Sequence, residues 1–223
     1  MSQMSVSEAV LSRRSVRMFK PDAVPLEVLQ RVMDKARWAP SGCNFQPWEA
    51  TIVTGVPLAE LQRKMLGAPF QEPPEYTFSE PEVIPECKTR LQRVGAAMYQ
   101  SMGIARGDAS ARTEFVRSNV MSFGAPAVLM CYFDRRMGPA QWSDTGMWLQ
   151  TIMLLLREAG LDSCPQEFLS FHAKLIKEAI GVSDETHIFF CGIAIGYREP
   201  EASVNGFERE REPVEGNVRF LGF

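Results

Sequence analysis

Two arginine clusters carry the most pointed chemistry in this 223-residue chain. One is Arg13-Arg14-Ser15-Val16-Arg17 near the start, and the other is Arg209-Glu210-Arg211-Glu212-Pro213 near the end. An arginine fork meets a phosphate through two parallel hydrogen bonds, and a serine hydroxyl adds a short donor. Taken singly, each cluster reads as a solvated charged face, the ordinary place for arginine. Converging from opposite ends, they would hold one phosphorylated ligand. The usual groups for other chemistries are scarce. There are 2 histidines, His172 and His187, and no C-x-x-C, which leaves little for zinc. No G-x-x-x-x-G-K-[ST], G-x-G-x-x-G, G-x-S-x-G or H-E-x-x-H occurs. Cys164 and His172 could pair as nucleophile and base, but their spacing matches no catalytic signature, and core roles suit them better.

Composition narrows the class. The chain is 45% hydrophobic, and 24 basic against 27 acidic side chains leave a net charge of −3. That is too apolar for a disordered chain and gives no general attraction to nucleic acid or an anionic membrane. The apolar runs are too short to span a bilayer, and Met1 to Val10 lacks a secretory pattern. The 5 scattered cysteines read as reduced thiols, so a cytoplasmic protein is expected. Cys131 and Cys191 sit in apolar runs and read as core.

The elements that must position the arginines follow from punctuation and period. Ser5-Val6-Ser7-Glu8 has the form of a capping box that opens a short helix. Pro25 suits a first helical turn, and Val28, Leu29, Val32, Met33 and Ala36 continue at helical spacing until Pro40-Ser41-Gly42. Glu49 to Thr54 reads as a strand ended by Gly55 and Pro57. Residues 67–85 hold five prolines with Phe70, Tyr76 and Phe78 among them, which denies regular structure and suggests a binding loop or lid. Cys87 to Met102 follows as an amphipathic helix. Ala127 to Phe133 reads as a buried strand, and Gly146 to Ala159 as a central helix touched on several sides, with Gly160 at its cap. Phe171 to Ile180 gives another helix and Ile188 to Tyr197 the last strand, where Gly192 and Gly196 imply close packing. The order is α+β, in a single domain over 1–223.

These residues also resemble a known family. Arg13-Arg14-Ser15-Val16-Arg17-Met18-Phe19, followed by Ala39-Pro40-Ser41-Gly42-Cys43-Asn44-Phe45-Gln46-Pro47-Trp48, is similar to the N-terminal signature of the FMN-dependent nitroreductases. The resemblance continues at Gly160 to Pro165, Gly192 to Tyr197 and Val204 to Pro213. Its tail is most similar to the bacterial branch acting on nitrobenzoates and dinitroaromatics. It implies a mainly antiparallel sheet wrapped by helices, an intertwined homodimer, FMN at the interface, and hydride transfer from NADH or NADPH to nitroaromatics or quinones. By the same resemblance Arg13, Ser15, Arg209 and Arg211 hold the phosphate and ribityl chain, Arg14 lies near the isoalloxazine or ribityl, and Arg17 lies by the flavin's pyrimidine side. Ser41 and Asn44 are implied to come from the partner subunit. Pro165, Gln166 and Glu167 are implied to face the ring, in a loop where the family often has glycine at the position of Phe168. Phe70, Tyr76, Phe123 and Trp142 are candidates to stack on an aromatic substrate, with packing an equal alternative for each. No metal is expected.

Other functions stay open at this level. The family also includes enone reduction, dehalogenation of halogenated phenols and flavin destruction, and Glu75-Tyr76 resembles the deiodinase lid without an assignable lysine. A flavin-binding protein without turnover is a further reading, and arginine clusters that are mere surface another.

Overall fold

The computed structural model describes residues 4–77 and 83–223; Phe78 and Pro81 of the expected loop lie outside them. Helices α1 (Val6–Ser12) and α2 (Leu26–Ala36) precede strand β1 (Glu49–Thr54). Then come α3 (Gly55–Gly67), α4 (Pro85–Ser101) and α5 (Ala109–Arg117). Strand β2 (Ala127–Asp134), α6 (Pro139–Glu158), β3 (Asp162–Gln166), α7 (Ala173–Ile180) and β4 (His187–Gly196) complete the chain, followed by an irregular tail.

The strands form one antiparallel sheet in the order β1-β2-β4-β3. Side chains alternate across a strand, so β2 sends Ala127, Leu129 and Cys131 to one face and Val128 and Met130 to the other. The first face packs on α2 and α6 through Leu29, Val32, Trp148, Ile152 and Leu156; the second packs on α3 and α7 through Leu58, Leu61, Met65 and Ile176. A bulge in the β2–β4 ladder, where Cys131 pairs with Cys191 but Tyr132 with Phe189, skips Phe190. The skipped residue explains why Phe189 faces the second core while Cys191, Ile193 and Ile195 face the first. Close packing at the strand's glycines is as expected. A Cβ on Gly192 would lie 2.5 Å from Leu169 Cδ1, and one on Gly196 2.7 Å from Pro126 Cδ.

The capping box forms as expected, whereas several later elements depart from the expectation, each for a local reason. Ser5 accepts from the Glu8 N–H and Glu8 from that of Ser5, the full capping box. Gly55 and Pro57 end β1 as expected and, beyond the expectation, also open α3. Gly55 takes φ +58, and proline in a first turn has no N–H to leave unpaired. Helix α5 buries no residue, so it has no apolar stripe to read; the Asp108 carboxylate caps it at Ala111 N–H. Strand β3 contains Pro165, tolerated because the strand lies at the sheet edge. Helix α6 begins at Pro139, earlier than expected, and leaves Gly146, Met147 and Gln150 open rather than being covered all round.

Candidate functional site

The two ends of the chain meet beside the β3 edge. Ser15 bridges to Ser163, and Val16 N–H donates to Ser163 O at 3.0 Å, so the first arginine segment runs along β3. The tail folds over it. Buried Asn205 accepts from Arg17 N–H at 2.8 Å and donates to Met18 O and Glu199 O. Arg14 donates to Phe207 O and lies 5.4 Å from the Phe207 ring centre. Arg209 donates to Arg13 O and to Leu11 O, carbonyls at the C-terminal end of α1.

Alternation in the extended tail sorts its charges. Glu210 receives Arg93 at 2.6 Å, and Glu212 receives Arg90 at 3.0 Å, both from α4. Arg209 and Arg211 are therefore turned the other way, toward α1. There they act on Arg13. Burial first, then Arg209 and Arg211, hold the Arg13 guanidinium below the usual arginine range. Arg14 is lowered by burial, then by Arg209, Arg198 and Arg17, with Asp162 opposing. Arg209 is lowered by burial and by Arg211. Like charges this close repel, and each gains from an anion placed among them. Asp162 does not balance them, since Arg157 holds it at 3.0 Å and Arg198 at 2.7 Å.

Orphaned atoms mark the same place. Arg14 Nε is buried without a partner, as are Ser163 Oγ, Gln166 Oε1 and Ser122 Oγ around β3. Buried polar groups are normally paired, so this concentration fits a missing polar ligand. The arginines, Ser15 and these atoms fit a phosphorylated cofactor lying along β3. Ser122 had no distinguishing sequence signal; Ser163 and Asn205 lie in segments that carry the resemblance, but no role attached to them until β3 and the tail came together.

The other expected residues fall into separate groups. Ser41 and Asn44 sit on an exposed turn with no contact to the arginines among the described residues. That turn is held from below, because Gly42 N–H reaches both oxygens of buried Asp144 at 3.2 Å. Ser41 Oγ accepts from Gln46 N–H at 3.0 Å, while Cys43, Asn44 and Gln46 all have positive φ. Such left-handed residues carry strain of about 1–3 kcal/mol each, which clusters where a ligand is held. Pro47 and Trp48 fix the turn into β1, Trp48 stacking on Trp148 at 5.6 Å. Gln166 donates to Asn119 O at 2.8 Å, and Pro165 and Glu167 stay exposed at the end of β3.

The aromatic candidates mostly do structural work within the chain. Phe123 is buried with Val16, Phe19, Ala125, Cys164 and Ala194, so its ring has no open face here. Tyr76 donates to Phe190 O at 2.7 Å and packs edge-on to Trp142, which also packs on Phe133 and Phe190. Phe70 alone is half-exposed, against Phe168, Phe171 and His172. Cys164 and His172 are not brought together. Burial pushes the Cys164 thiol up to about 11, so it stays protonated at neutral pH. The lysine opposite Glu75 is Lys177, at 2.8 Å, and Arg135 holds the other Glu75 oxygen at 2.5 Å. That carboxylate is engaged inside the protein by both cations.

Fold and site together give an α+β protein whose sheet edge carries a cluster of arginines and unpaired polar atoms suited to a phosphorylated ligand. Comparison with known proteins sharpens the class. The nitroreductase family model matches residues 10–197. The 4-nitrobenzoate reductase of Pseudomonas putida is 32% identical over 216 residues, covering 96% of this chain and 94% of the relative. The nitroreductase NfnB of Mycolicibacterium smegmatis is 32% identical over 213 residues, covering 95% and 90%. The crystal structure of the FMN- and NADPH-dependent nitroreductase NfnB from Sphigopyxis sp. strain HMH superposes with TM-score 0.93 at 40% identity, covering 99% of this chain and 100% of that one. The chain belongs to the nitroreductase family.

Proposed function

We propose that this protein is an FMN-dependent oxidoreductase that passes a hydride from NADH or NADPH to nitroaromatic compounds, with quinones as further acceptors. The observation that carries the reading is the set of arginines from both chain ends, pressed together beside β3, where Asp162 is already held by Arg157 and Arg198. When bound, FMN supplies the hydride chemistry. Arg13, Arg14, Arg209, Arg211 and Ser15 hold its phosphate and ribityl chain through charge-assisted bonds. Arg17 keeps a positive charge near the pyrimidine side of the ring. The backbone at Pro165, Gln166 and Glu167 orients the ring, and proton demand is met from water.

The site is completed in a homodimer. The Ser41 to Gln46 turn is built, strained and open to solvent, as a group serving a second copy would be. Exposed apolar side chains at Trp38, Phe45 and Met147 fit that association. Among the described residues no helix is long and apolar enough to cross a membrane, and we place the enzyme in the cytoplasm.

The purified protein is expected to be yellow, with FMN released on denaturation. Anaerobic addition of NADPH or NADH bleaches it, and a nitroarene restores the colour. A colourless protein that takes up no FMN, or a yellow one bleached by neither nicotinamide, overturns the reading.

A further inference from the structure

Helix α6 holds the exposed turn before β1 at both ends. Asp144 and Trp148 are four residues apart on α6, about one helical turn, and so share a face. Asp144 receives the Gly42 N–H on both carboxylate oxygens at 3.2 Å, at the start of the turn. Trp148 stacks on Trp48, 5.6 Å between centres and 6° between planes, where the turn enters β1. Between these points the chain bonds to itself. Asn44 N–H donates to Ser41 O at 3.1 Å, Phe45 N–H to Gly42 O at 3.0 Å, and Gln46 N–H to Ser41 Oγ at 3.0 Å.

The two holds differ in kind. Trp48 on Trp148 buries apolar surface and stabilises the fold by itself. Asp144 does not. It is 5% exposed, and no lysine, arginine or histidine pairs with it among the described residues. A carboxylate has room for about four hydrogen bonds, and this one receives a single backbone N–H there. An ionised group buried with so little compensation opposes folding. Gly42 is exposed, so its N–H would bond to water if Asp144 were absent. The carboxylate thus contributes geometry rather than stability.

The geometry it holds is an uncommon one. Cys43, Asn44 and Gln46 have φ of +50, +58 and +48, a region that side chains disfavour. Such residues persist only where the surroundings over-determine them. Cys43, Asn44 and Phe45 stand exposed between the two holds, with Ser41 half-buried beside Gly42.

We infer that Asp144 is a positioning residue of the cofactor site. Through Gly42 it holds the Ser41–Gln46 turn in the shape that presents Ser41 and Asn44 to the flavin of a second copy. The inference rests on the reading above, in which that turn serves the second copy, and adds the residue that sets the turn.

The test uses the full-length protein and reads FMN affinity by dialysis, beside urea unfolding and hydrogen exchange of the FMN-free form. Asp144→Leu replaces the carboxylate by an apolar group of similar volume. Its FMN-free form keeps or gains stability, loses exchange protection at the Gly42 N–H and binds FMN about tenfold more weakly. Asp144→Asn, which keeps one oxygen for Gly42, retains most of the protection and the affinity. A second arm closes a cycle. Ser41→Ala with Asn44→Ala weakens FMN binding, and adding Asp144→Leu weakens it no further, because the groups that Asp144 aims are gone. An Asp144→Leu protein that unfolds, or loses stability and FMN together, makes the carboxylate structural and overturns the inference. So does an FMN affinity kept after Gly42 protection is lost. An equal loss on adding Asp144→Leu to either background overturns the inference and leaves the reading of the turn intact. FMN affinity unchanged by Ser41→Ala with Asn44→Ala overturns that reading, and the inference with it.

Discussion

Two charged regions of this molecule are built on opposite plans. At the β3 edge Arg13, Arg14, Arg17, Arg209 and Arg211 face one another, and Asp162, which acts on Arg14, is already held by Arg157 and Arg198. On α7, Lys177 lies 2.8 Å from Glu75 and 2.7 Å from Asp184, and also donates to His187 O at 2.9 Å. Arg135 closes that network on Glu75 and on Asp184 O. Lys177 is 0% and Glu75 1% exposed, yet every charge there is answered. Buried charge that is balanced holds structure together; charge left unbalanced marks where a ligand must come. The balanced network fixes the proline-rich segment, because Glu75 and Tyr76 both anchor it. In the unbalanced one, Arg209 and Arg14 bond tail and α1 carbonyls, while the mutual repulsion of the guanidiniums opposes stability until an anion arrives.

The largest effect should come from breaking the balanced region. Glu75→Leu leaves Lys177 buried without its carboxylate and should cost about 3–5 kcal/mol in urea unfolding. Glu75→Leu combined with Lys177→Met should recover most of that loss, because two matched apolar groups replace a matched ion pair. Neither change alters the arginines, so FMN taken up per folded molecule stays the same. A double variant as unstable as the single one would mean the network does more than balance charge.

In the unbalanced region the signs invert. Arg13→Ala or Arg211→Ala removes repulsion, so the FMN-free protein keeps or slightly gains stability. FMN affinity instead falls about 10- to 100-fold, the value of one charge-assisted bond. Equilibrium dialysis of the two variants beside thermal unfolding of the FMN-free protein separates these readouts. A variant that loses stability and FMN together would place these arginines in the structure rather than the ligand site.

Acid separates the regions more finely. The Lys177 hydrogen bond, aided by Arg135, holds the Asp184 carboxyl below the usual carboxylate range. A depressed folded value contributes stability that is present above the unfolded value of about 3.9 and is lost as pH falls through the folded one. Asp184→Asn should therefore lower stability at neutral pH, flatten the acid limb of the stability profile, and approach the wild type at the lowest pH. The arginines do not titrate there, but a phosphate ligand takes its second proton near pH 6. FMN binding should weaken between about pH 7 and 5, while the Lys177 network is still intact.

How much of this was legible in the sequence follows from the same contrast. The arginine clusters announced themselves because alternation and repetition are local, and Arg13 to Arg17 and Arg209 to Arg211 could be read without knowing where they meet. The capping box at Ser5 and the strand from Glu49 to Thr54 were equally local. The Lys177 network was not legible: its members are 102 residues apart, and a lysine on a short helix looks like any solvated one. The same holds for Ser163 and Asn205, which gain meaning through pairing across the chain. Helix α5 and strand β3 escaped because one has no apolar stripe and the other carries a proline. Phe123, Tyr76 and Trp142 looked like stacking groups by type, but type does not distinguish a ring facing a ligand from one facing Phe190 or Ala194.

The smallest effect tests how the tail keeps its arginines aimed. Arg93 and Glu210 are both about half exposed, so their 2.6 Å bond should contribute under about 1 kcal/mol to stability. Its importance lies in direction. In an extended segment, holding Glu210 on α4 turns Arg209 and Arg211 to the opposite side, where α1 and Arg13 lie. Arg93→Ala should therefore barely change unfolding but weaken FMN binding by up to about fivefold, as the tail samples other orientations. Because exposed pairs are screened by salt, the difference between the wild-type protein and Arg93→Ala should shrink as ionic strength rises. An affinity identical in the two proteins at low salt would mean that Arg209, through the carbonyls of Leu11 and Arg13, aims the tail without help from α4.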